Sequence, residues 1–363
     1  MASTAAAPAP YITSSLPYTH SLPQQHTTPP SYPYQHQHPH VDSSLFAQDD
    51  QQVELTLIDL QLLCQEDEAE IHKLLIAAKE WGFLQVANHG VSCKLLCEIA
   101  EQAYHAFTLP AEAKARAEPA AGSGYGYFTK QSGANGKRQQ LSEAFRLPLN
   151  PEHRADVIIK LWPEGNKAFS SVVEEYIAAV ESILLQLLRS FASGLGLDPL
   201  QFTHDLSKDG IFAVLRMNFY NASSQPLPSL AFQAHSDPPI LTILHQNGVD
   251  GLQILKDNKW IAVKPQLGSF VVNVGDMLQV MSNDLYPSVI HRVVMKSDKF
   301  RSSLVLAATP HPQAIVRPAP QLVTEQRPSQ YVPFTMEEYF SSLDSVEYSA
   351  SKSHLNKFRS IPT

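Results

Sequence analysis

The feature that most constrains the fold is a change in the spacing of apolar residues at about residue 210. Before this point, apolar residues recur at helical spacing, as between Val172 and Phe191, and the pattern stops at Gly194. After it come short β-rich runs separated by Gly, Asn, Asp and Pro, at residues 211–220, 240–245, 252–255, 260–263, 270–274, 277–281, 289–295 and 304–308. Runs of this length predict a mixed, mainly β protein whose core is a jelly roll or a barrel with packed N-terminal helices.

The region that precedes these strands is predicted to be mainly helical. Apolar spacing indicates helices over 71–81 and 95–107, and Gly82 ends the first of them. Between the two helices, residues 83–86 form an apolar run typical of a strand. The glycine-rich residues 122–127 predict a loop on the substrate side, because no helix pattern follows that would make them a phosphate-binding loop.

The N-terminal segment has the composition of a disordered chain. Residues 1–48 contain eight prolines and five histidines among Ser, Thr, Gln and Ala. Such a segment buries too little apolar surface to offset its conformational entropy. We therefore divide the chain into a disordered leader at 1–50, an N-terminal helical region at 51–200, a jelly-roll domain at 201–345 and a C-terminal tail at 346–363.

The net charge of -8 belongs to the N-terminal part of the chain. No Lys or Arg precedes Lys73, whereas residues 1–72 hold nine acidic residues, so that the rest of the chain is nearly neutral. This distribution argues against the basic surface of a nucleic-acid-binding protein. No run approaches the roughly 18 apolar residues of a membrane span, and no transit or secretory signal is recognisable. We expect a monomeric cytoplasmic protein with no nucleic-acid or membrane partner, and its entry into the nucleus is left open.

Three residues predict a metal site. His235 and Asp237 are two apart, so on a strand their side chains would point to the same side, and a later strand can bring His291 to them. Two imidazoles and one carboxylate on one face of an octahedron are the ligand set of non-haem iron(II) oxygenases. A His-x-Asp pair also occurs by chance in a chain with many histidines, and a single histidine is more often structural. The prediction therefore depends on the whole combination.

Arg301 and Ser303 add a second element to that combination. The turn-forming residues 296–299 separate Arg301 from the strand of His291, so Arg301 can begin a new strand that faces inward. Its planar fork of donors suits a carboxylate, and the Ser303 hydroxyl lies two residues on, hence on the same face.

These residues lie within motifs that resemble those of the plant-type 2-oxoglutarate- and iron(II)-dependent dioxygenases, a group that includes isopenicillin N synthase-like, gibberellin-oxidising and flavonoid-oxidising enzymes. The resemblance covers about residues 53–345. It is carried by Trp81-Gly-Phe, Asn88-His-Gly-Val, Asn218-Phe-Tyr, His235-Ser-Asp-Pro, Gly251-Leu-Gln, Val271-Val-Asn-Val-Gly-Asp, Ser288-Val-Ile-His-Arg-Val and Arg301-Ser-Ser. It implies a double-stranded β-helix, the jelly roll, as the fold.

The same resemblance implies roles for seven residues. His235, Asp237 and His291 would bind Fe(II). Arg301 and Ser303 would hold the C5 carboxylate of 2-oxoglutarate, and Tyr220 and Asn218 would be further contacts of this cosubstrate.

The activity implied is hydroxylation or desaturation of a small, largely apolar metabolite, such as a gibberellin-like hormone or a flavonoid. O2 and 2-oxoglutarate would be consumed, succinate and CO2 released, and ascorbate would stimulate the reaction. Two alternatives stay open: an iron-dependent oxidase of the same fold that does not use 2-oxoglutarate, and a non-catalytic ligand-binding jelly roll.

Three positions depart from the motifs or stand beside them. Members of the group often carry aromatic residues after the Arg-x-Ser motif, whereas here either Ala307 or Ala308 is predicted to leave a roomier substrate pocket. Asp250 replaces a common glycine and is interpreted as a surface turn residue. His245 lies on a predicted strand, where a structural role is favoured over a catalytic one.

Overall fold

The computed structural model describes residues 52–120, 124–132, 139–203, 212–220, 227–344 and 354–360. All of them belong to one compact unit, Val41–Thr363. The predicted disordered leader (1–50) lies outside the described residues, so its disorder stays a prediction. None of the helices within the described ranges is both long and apolar enough to span a membrane.

Eight α-helices lie within the described residues. They are α1 (Leu60–Cys64), α2 (Glu68–Trp81), α3 (Cys93–Phe107), α4 (Ala111–Arg116), α5 (Pro151–Leu161), α6 (Lys167–Gly194), α7 (Asp276–Met281) and α8 (Met336–Asp344). The helices predicted around 71–81 and 95–107 are confirmed as α2 and α3. Gly82 ends α2 as predicted, because it adopts a left-handed conformation with φ of 62° that favours glycine.

Fifteen strands lie within the same residues. They are β1 (Gln52–Val53), β2 (Leu57–Asp59), β3 (Phe83–Ala87), β4 (Gly126–Ser132), β5 (Gln139–Pro148), β6 (Phe212–Tyr220), β7 (Ser229–His235), β8 (Leu241–Gln246), β9 (Leu252–Lys256), β10 (Lys259–Val263), β11 (Phe270–Val274), β12 (His291–Met295), β13 (Arg301–Thr309), β14 (Ile315–Val316) and β15 (Phe334–Thr335).

Two of the sheets build the predicted jelly roll. The smaller sheet has the order β1-β10-β9-β12-β7 and the larger one β2-β3-β11-β8-β13-β6-β5-β4, while β14 and β15 form a separate pair. Within the larger sheet, β13 lies between β6 and β8, antiparallel to both. The fold class predicted from the sequence, a mixed and mainly β jelly roll with packed N-terminal helices, is confirmed.

The larger sheet separates an apolar core from a polar cavity. On β13, Leu304, Leu306 and Ala308 belong to the main apolar core, which also includes the buried residues of α6. Ser303 and Val305, which alternate with these residues along β13, line the cavity on the other side of the sheet. Successive side chains of a strand point to opposite faces, so one run of residues serves both purposes.

Three predicted elements differ in the structure. The run 277–281, predicted as a strand, forms α7, because a short buried apolar run fits either element and here Gly275 and Asp276 begin a helix. The glycine-rich loop predicted at 122–127 becomes β4 from Gly126 onward. The strand predicted at 83–86 is confirmed as β3, and the region 51–200, predicted to be mainly helical, also supplies β1, β2, β4 and β5; all five strands join the two main sheets.

Part of the predicted C-terminal tail packs on the rest of the unit. Leu355 is fully buried, and Arg359 forms an ion pair with Asp284 while its guanidinium lies over the ring of Tyr331. The tail therefore contributes contacts at least over residues 354–360.

The start of α7 anchors the segment that follows β7. The first amides of a helix have no partner inside it, and here those of Asp276 and Met277 donate to the carbonyl oxygens of Asp237 and Pro239 at 2.7 and 3.2 Å. The approach is so close that a Cβ on Gly275 would lie 1.9 Å from the Pro239 oxygen. Only glycine leaves room for this contact.

We predict that Gly275→Ala lowers the free energy of unfolding by about 1–3 kcal/mol, because the added methyl group overpacks this contact. Chemical denaturation monitored by circular dichroism measures the change. Gly124→Ala is the control, since a Cβ there meets no atom within 4 Å. Equal stability of the two variants would contradict the prediction.

Candidate metal centre and active site

Two histidines and one aspartate meet between the two main sheets. His235 is the last residue of β7 and is paired in register with His291, the first residue of β12. Oδ1 of Asp237 lies 3.4 Å from Nε2 of His235 and 3.7 Å from Nε2 of His291. One ligand atom from each of the three residues lies within 4.8 Å of the others. The three side chains can therefore hold one metal ion and leave other coordination positions open.

Backbone carbonyls fix the orientation of both imidazoles. Nδ1 of His235 lies 2.9 Å from the carbonyl oxygen of Gln233, and Nδ1 of His291 lies 3.1 Å from that of Val289. A carbonyl can only accept, so each Nδ1 carries the proton and each Nε2 presents a lone pair toward Asp237. Such contacts behind the ligands are usual at metal sites.

The protonation states also suit a cation. Burial, together with repulsion from His235, lowers the pKa of His291 to about 4, so its imidazole is neutral near pH 7. Burial opposes ionisation of Asp237, but the two histidines and the amide of Asn273 outweigh it and hold the pKa of that carboxyl well below its usual range. An anionic carboxylate and a neutral imidazole are the forms that bind metal.

Asn273 and Asp276 support the aspartate, and the sequence analysis assigned no role to either. Nδ2 of Asn273 donates to Oδ2 of Asp237 at 2.9 Å. The fully buried Asp276 accepts hydrogen bonds from the hydroxyls of Ser236 and Tyr339, and burial raises its pKa to about 6. Asn273 is the polar residue of the otherwise apolar strand β11, every residue of which is buried. A polar side chain in such a run was the sequence feature that could have indicated a functional role for it.

The position of Asp237 corrects one step of the sequence argument. Strand alternation predicts that His235 and Asp237 face one side of the same strand, but β7 ends at His235 and Asp237 lies beyond it. The amide of Asp276, at the start of α7, holds the backbone there. The predicted proximity is correct, whereas its predicted cause is wrong.

Arg301 is a buried cation with unused donors. Its side chain is fully buried, and Nη2 donates to Oε1 of Gln246 at 2.9 Å. Nε and Nη1 have no hydrogen-bond partner in the described part of the chain. Burial lowers the pKa of Arg301, and Tyr220 and Asp250 oppose this effect. Since an unpaired buried charge is costly, these two donors fit a carboxylate ligand.

Three predicted cosubstrate contacts surround this arginine. The guanidinium carbon of Arg301 lies 5.4 Å from the ring centre of Tyr220. Nδ2 of Asn218 donates to Oγ of Ser303 at 3.2 Å, which leaves the Ser303 hydroxyl hydrogen free to point at another acceptor. Oδ1 of Asn218 accepts from Nε of Arg216 at 2.6 Å, so Asn218 orients its neighbours.

All seven residues predicted for the site line one cavity. Apolar side chains form much of the remaining wall: Phe83, Phe232, Leu244, Leu252, Val271, Val293 and Val305. The cavity therefore combines a metal-binding end, a carboxylate-binding end and an apolar lining.

The predictions for Ala307, Ala308 and His245 have different outcomes in the structure. Of the two positions offered for a roomier pocket, Ala308 is excluded, because it belongs to the apolar core on the helix side of the larger sheet. Ala307 has the same orientation as the cavity-lining Val305, and a roomier pocket at Ala307 stays a prediction. His245 lies on the helix side, where its ring packs 5.7 Å from that of Phe270.

The fold and the site define a metal-binding jelly roll with a buried carboxylate-binding arginine. Residues 211–310 match the 2OG-Fe(II) oxygenase superfamily, and residues 55–165 match the N-terminal part described as non-haem dioxygenase in morphine synthesis. Gibberellin 2-beta-dioxygenase 2 of Arabidopsis thaliana is 34% identical over 292 residues, which are 79% of this chain and 83% of that protein. Oxoglutarate-dependent flavonoid 7-O-demethylase 1 of Ocimum basilicum is 32% identical over 309 residues, or 84% and 82% of the two chains.

The crystal structure of JOX2 in complex with 2OG, Fe and JA superposes with a TM-score of 0.75 at 32% identity, covering 85% of this chain and 90% of that one. The chain belongs to the 2OG-Fe(II) oxygenase superfamily. It is an Fe(II)- and 2-oxoglutarate-dependent dioxygenase, an oxidoreductase, as the resemblance implied.

We predict that Asn273→Ala lowers metal affinity about 10–100-fold, because Asp237 loses the donor that orients it. Calorimetric titration with Mn(II) under nitrogen measures the affinity without turnover. Asn356→Ala, at an exposed position, is expected to bind Mn(II) like the unchanged protein. An Asn273→Ala affinity equal to that of this control would contradict the prediction.

Proposed function

We propose that this dioxygenase hydroxylates or desaturates a small, largely apolar metabolite of the hormone or flavonoid type. His235, Asp237 and His291 hold Fe(II), and Arg301 with Ser303 and Tyr220 holds 2-oxoglutarate. The observation that carries the assignment is the pair of unused donors on the buried Arg301, which face the same cavity as the two histidines and the aspartate.

The residues fit the two groups in different ways. Asp237 is anionic and His291 is neutral near pH 7, and backbone carbonyls orient both imidazoles so that Nε2 faces the metal position, as a divalent cation requires. Arg301 offers the unpartnered N–H groups of Nε and Nη1 at the cosubstrate end of the cavity, and Ser303 offers its hydroxyl. The role first predicted for Asn218, direct contact with the cosubstrate, becomes a positioning role, since its amide is bonded to Ser303 and Arg216.

When bound, iron and 2-oxoglutarate supply the oxidising chemistry, with O2 consumed and succinate and CO2 released. The contribution of this chain is to orient the substrate C–H and to exclude water. Leu244, Leu252, Val271 and Val293 provide apolar walls beside the metal ligands for this purpose. Ascorbate is expected to stimulate turnover by keeping the iron reduced.

Two alternatives are less well supported. An oxidase that does not use 2-oxoglutarate gives no reason for the buried, partly unpaired Arg301. A non-catalytic binding protein gives no reason for the oriented histidines and the supported aspartate. The names of the relatives, a gibberellin dioxygenase and a flavonoid demethylase, support the hormone and flavonoid classes.

We further propose that the enzyme acts as a monomer in the cytoplasm. The near-neutral charge of residues 73–363, which gives no basic surface for nucleic acid or anionic membranes, supports a protein free in the cytoplasm. Light scattering during size-exclusion chromatography tests the first point, and a fluorescent fusion in plant cells tests the second.

We predict that anaerobic addition of Fe(II) and 2-oxoglutarate produces a visible charge-transfer band, and that Asp237→Ala abolishes it by removing a metal ligand. Absorption spectroscopy under nitrogen is the measurement. Asp156→Ala, exposed on α5, is the matched control and keeps the band. Absence of the band in the unchanged protein would rule out the proposed function.

We predict that Arg301→Lys raises the KM for 2-oxoglutarate about tenfold or more, because an ammonium replaces the planar fork and leaves one hydrogen bond unmade. Succinate release at varied 2-oxoglutarate concentration measures the effect. Arg317→Lys, at an exposed position, is the control. If Arg301→Lys kept the KM of the control, 2-oxoglutarate would have to bind elsewhere.

A further inference from the structure

The helix α8, near the C-terminus, is connected to the start of α7 through one tyrosine. Tyr339 of α8 is fully buried, and its hydroxyl donates to Oδ2 of Asp276. Asp276 is the first residue of α7 and is fully buried as well. A buried carboxyl group that loses a hydrogen-bond donor is left in an unfavourable environment, so this contact holds both groups in place.

Asp276 in turn holds the segment that carries two of the metal ligands. Its backbone amide donates to the carbonyl oxygen of Asp237 at 2.7 Å, and its Oδ2 accepts from the hydroxyl of Ser236 at 3.2 Å. Ser236 lies between the ligands His235 and Asp237 in the chain. Because β7 ends at His235, strand pairing does not extend to Asp237. The geometry of residues 235–237 therefore depends on Asp276.

The hydroxyls of Tyr339 and Ser236 meet at the same oxygen of Asp276. The terminal torsion of a carboxyl group is soft, so the direction of Oδ2 is set by the groups that donate to it. Removal of the Tyr339 hydroxyl takes away one of these two donors. Hydrogen bonds that share an acceptor form a network, so the bond to Ser236 weakens as well. A change at Tyr339 is thereby transmitted to the metal-ligand segment.

Aromatic packing fixes Tyr339 from its other side. Its ring stacks with those of Phe334 and Phe358, with ring centres 6.1 Å apart in each case, and the rings of Phe334 and Phe358 are themselves 4.1 Å apart. Phe358 belongs to the C-terminal segment, residues 354–360, and its carbonyl oxygen accepts from the amide of Val332. A continuous series of contacts thus joins the C-terminal segment, α8 and the metal ligands.

We propose that Tyr339 is a positioning residue of the metal centre, through which α8 and the C-terminal segment hold residues 235–237 in their metal-binding geometry. Tyr339 acts through Asp276 and does not itself bind the metal. Metal binding and the packing of α8 are then coupled, and coupling of this kind is reciprocal, so each strengthens the other. The proposal requires a metal at the three ligands but does not depend on the identity of the substrate.

The first test removes only the hydroxyl. Tyr339→Phe keeps the ring in its aromatic stack and is expected to bind Mn(II) about tenfold more weakly than the unchanged protein, the lower end of the loss caused by removing a contact behind a metal ligand. Calorimetric titration of the metal-free, full-length protein under nitrogen measures the affinity without turnover. An affinity equal to that of the unchanged protein would overturn the proposal.

Tyr331→Phe is the matched control. Tyr331 is also buried and donates its hydroxyl to an aspartate, Asp284. Asp284 is bonded in addition to Gln279 and Arg359, neither of which is a metal ligand. Both tyrosine variants are expected to have a lower Tm without metal, but the control keeps its Mn(II) affinity. An equal loss of affinity in the control would show a general effect of buried hydroxyls and would count against a positioning role.

A double variant tests the route through Asp276. If Tyr339 acts through this residue, the loss of Mn(II) affinity in Asp276→Asn combined with Tyr339→Phe is smaller than the product of the two single losses, because the two residues share one interaction. A loss equal to that product would show that Tyr339 acts independently of Asp276 and would overturn the proposal.

Hydrogen exchange followed by mass spectrometry tests the reciprocal effect and does not require Asp276→Asn to fold. Mn(II) is expected to slow amide exchange in α8 of the unchanged protein and of Tyr331→Phe, and to slow it less in Tyr339→Phe. Equal slowing in the two tyrosine variants would refute the coupling. The comparison uses Mn(II) alone, so it remains informative if the charge-transfer band is absent and the proposed function fails.

Discussion

The alternation of side chains along the central strands of the larger sheet is the constraint on which the rest of the molecule depends. On β6, Leu215 and Met217 pack into the apolar core, while Arg216 and Asn218 line the cavity. The helix contacts stabilise the sheet through hydrophobic burial, which scales with apolar area. The other face can then hold polar groups whose burial is unfavourable by itself. A slip of one residue in register would exchange the two faces and remove both core and site.

The metal centre depends on a second constraint, the junction between β7 and α7. His235 and His291 are placed by strand pairing, but Asp237 lies where no ladder bond reaches it. The amides at the start of α7, the buried Asp276 and the amide of Asn273 fix it instead. Two ligands are therefore positioned by the sheet and the third by a helix end, which makes the close contact at Gly275 part of the site.

The sequence was sufficient for what local pattern and motif spacing determine. Local pattern predicted α2, α3 and most strands of the jelly roll, and the resemblance to the dioxygenase family implied the seven residues that meet in one cavity. It failed where tertiary context decides: residues 277–281 satisfy both strand and helix patterns, and the strand at Gly126 forms because β5 offers it a partner. Asn273 and Gln246 could not be assigned roles because these depend on which strands become neighbours.

The same limit explains why the surroundings of Arg301 were not foreseen, and burial shows why they matter. Gln246 is 55 positions from Arg301, and only the pairing of β13 with β8 brings the two together. Arg301 is fully buried, and its Nε and Nη1 have no hydrogen-bond partner within the described residues. An unpaired buried charge is unfavourable, so an anionic group bound beside Arg301 removes a cost that the folded chain otherwise carries.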